Sequence, residues 1–125
     1  MIFEQCDWCE EAERVLAPLI EPEIKMEFMN SIATGAATLW RVSGDGFTTW
    51  LVTRVEKYLG GHVELVLEVI AGKKARDIVS ALMERVKPHG VHSIRFETHH
   101  PEKTASRLIG SLGFERQATV FRVSL

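Results

Sequence analysis

The sequence predicts an α+β fold in which a mixed, mostly antiparallel central sheet is flanked by helices. Three observations carry this. Apolar residues recur at helical spacing in the first third, with period two in the middle, and in alternating modes in the last third. The turn signals Gly44-Asp45-Gly46 and Gly60-Gly61 join three consecutive strand-like segments as a meander. A helical stripe then separates the third segment from a fourth, which calls for a helix crossover to a parallel neighbour.

The bulk numbers set the limits. A chain of 125 residues is expected to form one domain, 1–125, with a core of its own. Its 46% hydrophobic and 26% charged residues are ordinary for a globular protein. With a formal net charge of −2, no general positive field draws nucleic acid or an anionic membrane, so neither is expected as a partner. No run of about 18 apolar residues offers a membrane span. The start, MIFEQCDWCEEAERV, is acidic and lacks the basic region of a secretory signal, so a cytoplasmic location is expected.

The elements follow in order. Ile2 to Glu4 suits a short first strand. Asp7 with Glu10 three residues on has the pattern of a capping box, and Trp8, Ala12, Val15, Leu16, Leu19 and Ile20 mark one helical face. Pro18 weakens that helix near its end, and Pro22 suits the first turn of a second one. There Ile24, Phe28 and Ile32 recur at spacing four and Gly35 closes the helix. ATLWRVS and FTTWLVTRVEKYL are rich in β-branched and aromatic residues. In HVELVLEVI, alternation places Val63, Leu65, Leu67 and Val69 on one face and Glu64, Val66, Glu68 and Ile70 on the other. Ala75, Ile78, Val79, Leu82, Met83 and Val86 form the stripe of a helix ended by Pro88 and Gly90. HSIRFET reads as a strand, Pro101 opens a helix with Ala105, Leu108, Ile109 and Leu112 buried, and QATVFRVSL reads as a closing strand. That last strand could pair with a second copy, giving a homodimer.

Cys6 and Cys9 form a lone Cys-x-x-Cys. A redox role wants the motif after a strand of a βαβ unit, and Glu10, Glu11 and Glu13 disfavour a thiolate beside it. A zinc site needs a second ligand pair, which His99 with His100, or His89 with His92, would supply only if the fold brought them near. No metal site is assigned, and two reduced thiols at a helix start are expected.

This element order resembles the GCN5-related N-acetyltransferase (GNAT) fold across essentially the whole chain. The stretch SIRFETHHPEKTASRLIGSLGFERQATVFRV is similar to the family's fifth strand, fourth helix and closing strand, with Leu112-Gly113-Phe114 at its Leu-Gly-Phe. The glycine lets the helix end in a left-handed conformation so that Phe114 packs back onto the core. The resemblance implies acetyl-CoA as cosubstrate and an amine as acetyl acceptor.

In that family a loop patterned Gln/Arg-x-x-Gly-x-Gly/Ala joins the fourth strand to the third helix, and its N–H groups hold the cofactor's pyrophosphate. Aligning on Ser80-Ala81-Leu82 puts Lys74 at the Gln/Arg, with Asp77 and Val79 at the two glycines. The resemblance thus marks Val69, Ile70, Lys73, Lys74, Ala75, Arg76, Asp77, Ile78 and Val79 as cofactor-binding. Asp77 sets a negative charge at the anion's seat, opposing binding by roughly 3 kcal/mol at about 5 Å and an effective dielectric near 20. Lys73, Lys74 and Arg76 in the same loop would offset much of it. Alternatively, Asp77 is the cap of the helix.

For catalysis the resemblance points to Glu64 as the base that takes the amine's proton, with Glu68 the other candidate, nearer the cofactor. Alternation alone equally fits a solvated sheet face bearing both. Ile109 stands at the family's acidic Tyr, Glu102 stands at an Asn, and Tyr58 sits before a hairpin. His99 or His100 is a candidate proton donor, and the favoured competing role for His100 is neighbour of the N-cap ahead of Pro101, where polar residues are expected anyway. Trp8, Trp40 and Trp50 line either a substrate groove or the core.

Two further readings stand beside the diverged acetyltransferase. One is a non-catalytic GNAT-shaped accessory or assembly protein, since small diverged members resemble accessory and virion proteins of tailed phages. The other is a nucleic-acid or partner-binding domain using Arg95, Lys103, Arg107, Arg116 and Arg122, which a net charge of −2 makes look more like ordinary solvated surface.

Overall fold

A computed structural model describes residues 1–97, 112–115 and 120–125. Its elements are β1 (Ile2–Cys6), α1 (Glu10–Leu16), α2 (Lys25–Thr34), β2 (Thr38–Gly44), β3 (Phe47–Lys57), β4 (Val63–Ala71), α3 (Ala75–Val86) and β5 (Ser93–Phe96). The strands lie in the order β1-β2-β3-β4-β5. Neighbours are antiparallel except β4 and β5, which run parallel after the α3 crossover. This is the mixed, mostly antiparallel sheet that the turn signals and the stripe predict.

The sheet is buried on both faces. On one, Val42, Leu51, Leu65 and Leu67 meet Ile78, Val79 and Leu82 of α3. On the other, Leu39, Trp50 and Val52 meet Ala12 and Leu16 of α1, with Phe28 and Ile32 of α2 packed alongside. Each fully buried aliphatic side chain of α3 contributes about 1.5–3 kcal/mol. Gly113 has φ 80°, and Phe114 meets Phe96 edge-on at 5.1 Å between ring centroids. The left-handed stop and the return of Phe114 to the core are thus as the sequence implies. No helix among the described residues is long and apolar enough to cross a membrane.

Four local expectations are corrected. The first strand extends to Cys6, held by pairing along β2 as far as Leu39. Cys9, not Asp7, is the N-cap of α1, without a side-chain cap bond. Alternation in β4 breaks at Glu68, where a bulge faces the step from Val52 to Thr53 of β3. Val69 therefore joins the α1-side core and Ile70 the α3-side core, the reverse of strict alternation. Finally, residues 120–125 form no strand. Val120, Phe121, Val123 and Leu125 are exposed, because alternation supplies strand propensity but a strand also needs a paired edge. His99, His100, the helix opened by Pro101 with Ile109, and residues 116–119 lie outside the described residues.

Candidate active site

β4 outruns its parallel neighbour. Pairing with β5 runs from Glu64 opposite Ser93 to Leu67 opposite Phe96 and stops there, at the bulge. From Glu68 to Ala71 the outer edge of β4 has no strand partner among the described residues. Among the described residues, this unpaired end of β4 forms the mouth of the two strands. A tight loop of Gly72, Lys73 and Lys74 then turns the chain into α3.

That loop is narrowly determined. Gly72 has φ 137°, and a Cβ there would lie 2.8 Å from the backbone Cα of Thr49, so only glycine fits. Lys74 is the N-cap of α3 in the left-handed region, φ 66° and ψ 26°. It is the one non-glycine residue with positive φ among those described. Left-handed backbone costs an ordinary residue about 1–2 kcal/mol, so neighbouring contacts must hold it. The first turn of α3 opens with Ile78 N–H donating to the Lys74 carbonyl at 2.9 Å. The N–H groups of Lys74, Ala75, Arg76 and Asp77 have no acceptor among the described residues. Four open donors at the positive end of a helix, beside Lys73, Lys74 and Arg76, suit an anion.

The two backbone positions that need unusual conformations are Gly72 and Lys74, not Asp77 and Val79. Asp77 is the third residue of α3 rather than its cap, and the side chains of Ile78 and Val79 are fully buried in the core. Whatever those two offer a ligand is main chain only, and the Ile78 N–H is already used.

The carboxylates lie on the α1 side of the sheet in one charged chain. Arg54 donates to both Glu68 and Glu56, and Arg95 donates to Glu56 at 3.0 Å and to Glu64 at 3.1 Å. Tyr58 Oη lies 2.8 Å from Glu56 and 2.9 Å from Glu64, with one proton to donate to either, and Ser93 Oγ donates to Glu64 at 2.7 Å. Both oxygens of Glu64 are therefore occupied. Only one oxygen of Glu68 is engaged among the described residues. The Arg54 guanidinium, helped by Tyr58 and Arg95, holds the Glu56 carboxyl down at about 2. Arg95, one of the arginines of the alternative binding-surface reading, is committed to this chain of charges.

The structure thus brings Glu68, Val69 and the loop 72–77 to one mouth and leaves Glu64 apart. Four residues of strand put Glu64 about 13 Å from Glu68, beside the hairpin that carries Tyr58. Trp50 is core, and Trp40 Nε1 donates to Thr53 Oγ1 at 3.0 Å. Trp8 stacks edge-on against Phe28. Sequence reasoning missed Thr49 and Arg54. A threonine in a strand has no signal of its own, but an arginine interrupting the apolar run of β3 opposite a glutamate-bearing strand is a readable hint.

No protein-family model and no curated protein matches the sequence. The fold matches solved structures. A ribosomal-protein-alanine N-acetyltransferase from Brucella melitensis superposes with TM-score 0.66 at 9% identity, covering 100% of both chains. A transcriptional regulator from Bacillus halodurans gives 0.65 at 17% identity over 99% of this chain and 100% of its own. An acetyltransferase from Trypanosoma brucei gives 0.60 at 12% identity, again over 99% and 100%. The chain has the GNAT fold.

Proposed function

We propose that this chain binds acetyl-CoA at the mouth between β4 and β5 and transfers its acetyl group to an amine. The observation that supports this most is β4 running past β5 to end at the open N-terminus of α3. The N–H groups of residues 74–77 would hold the pyrophosphate, with Lys73, Lys74 and Arg76 supplying positive charge. Asp77, in the first turn of α3, opposes it. Structural neighbours labelled acetyltransferases support the same reading at the level of fold.

The chemistry asked of the protein is mostly positioning. The amine nitrogen attacks the thioester carbonyl, forming a C–N bond and a tetrahedral oxyanion. The C–S bond then breaks, and the sulfur leaves as thiolate or takes a proton from solvent. Glu68, at the mouth with one oxygen unengaged among the described residues, is better placed than Glu64 to accept the amine's proton. A main-chain N–H near Val69 would serve as the oxyanion partner. The test is release of free thiol from acetyl-CoA across a panel of small amines and amine-bearing peptides. Amine-dependent release supports transfer, and its absence across the panel overturns it.

One observation favours a second reading, a non-catalytic accessory or assembly protein on this fold. Both candidate carboxylates are ion-paired, which suits a structural role. Binding of acetyl-CoA without any transfer is its signature.

A further inference from the structure

We infer that Thr49 is the positioning residue of the loop that meets the cofactor's phosphates, an inference that rests on the acetyl-CoA reading. Thr49 is a fully buried polar residue on β3, and its Oγ1 donates to the Lys73 carbonyl at 2.5 Å. The C=O of one residue and the N–H of the next are antiparallel across a trans peptide. Drawing the Lys73 oxygen inward onto β3 therefore turns the Lys74 N–H outward. That adds a fourth donor to those of Ala75, Arg76 and Asp77 at the start of α3.

The same contact explains two other features. Gly72 passes so close to Thr49 that a Cβ would meet its Oγ1 at 2.5 Å, its Cα at 2.8 Å and its Cβ at 2.9 Å. Lys74 holds a left-handed conformation that its own side chain disfavours. Gly72 grants the approach, the Thr49 hydroxyl fixes the peptide, and Lys74 takes up the strain. Such strain persists only where surrounding contacts determine it, and Thr49 is the side chain that does so here. The loop has this shape through a strand residue distant in sequence, without the glycines that a phosphate loop ordinarily uses.

The test compares Thr49→Val, which keeps the shape and removes the hydroxyl, with Thr49→Ser, which keeps the hydroxyl. Coenzyme A is titrated into each and into the unaltered protein by calorimetry, with folding checked by thermal unfolding. Thr49→Val is expected to raise the Kd about tenfold, as loss of one oriented donor to a charged group implies. Thr49→Ser is expected to stay within about threefold of the unaltered protein. In turnover, Thr49→Val is expected to raise KM for acetyl-CoA while leaving kcat at saturation unchanged. Equal affinity in Thr49→Val and the unaltered protein overturns the inference and leaves the acetyl-CoA reading intact. A Thr49→Ser variant as weak as Thr49→Val also overturns it, reducing Thr49 to packing. No binding by the unaltered protein overturns both.

Discussion

Glu68 ion-pairs with Arg54 while Val69, the next residue along, packs into the α1-side core from the same face of β4. Successive residues of a regular strand point to opposite faces, so this pair marks the bulge. The bulge falls where the described pairing with β5 ends, which sets a carboxylate at the mouth of β4 and β5. Glu68→Gln is therefore expected to lower kcat by about 10²- to 10⁴-fold with the affinity for acetyl-CoA unchanged. Glu64→Gln is expected to keep turnover and instead lose stability, by about 1–2 kcal/mol, since Arg95 and Ser93 lose a charged acceptor. Steady-state kinetics and denaturant unfolding of the two variants separate these outcomes.

Glu56 gives the fold a dependence on acid. Its carboxyl is lowered from 4.5 to about 2, first by Arg54, then by Tyr58 and Arg95. A group whose folded value is depressed contributes stability above its unfolded value and loses it as pH falls toward the folded one. The unfolding temperature is thus expected to drop between about pH 4.5 and pH 2, and Glu56→Gln to flatten that drop. A variant with the same acid slope as the unaltered protein would remove Glu56 from this role.

Asp77 sits in the first turn of α3, where a negative charge favours the helix and opposes a bound phosphate. Asp77→Asn is expected to cost the fold about 0.3–1 kcal/mol while tightening coenzyme A several-fold. Unfolding and calorimetry on one preparation check both signs.

Lys74 carries strain that glycine would not. Lys74→Gly relieves about 1–2 kcal/mol of left-handed penalty against the greater entropy of an unfolded glycine, about 0.5–1 kcal/mol. The net expectation is a fold slightly more stable and, with one cation fewer at the mouth, weaker for coenzyme A. A loss of stability instead would mean that the lysine side chain contributes to the fold.

Much of this architecture is legible in the sequence because it rests on period and on punctuation. The stripe Ile78, Val79, Leu82 needs a helix, Gly44-Asp45-Gly46 needs a hairpin, and Gly113 before Phe114 needs a left-handed stop; each is found. The site is less legible, for physical reasons. A bulge leaves the residue pattern of VELVLEVI unchanged, so nothing local tells that Val69 and Ile70 exchange faces. The start of α3 is set by a hydroxyl 24 residues away, and propensity would never place a lysine at positive φ. Aligned on Ser80-Ala81-Leu82, the sequence therefore points to Asp77 and Val79, which lie within α3, and not to Gly72 and the Lys74 backbone.

Thermal unfolding of the unaltered protein with acetyl-CoA tests most directly whether the mouth of β4 and the start of α3 grip this cofactor. At about 100 times its Kd the cofactor should stabilise the fold by roughly 2.7 kcal/mol. Unfolding curves that coincide with and without millimolar acetyl-CoA would contradict it.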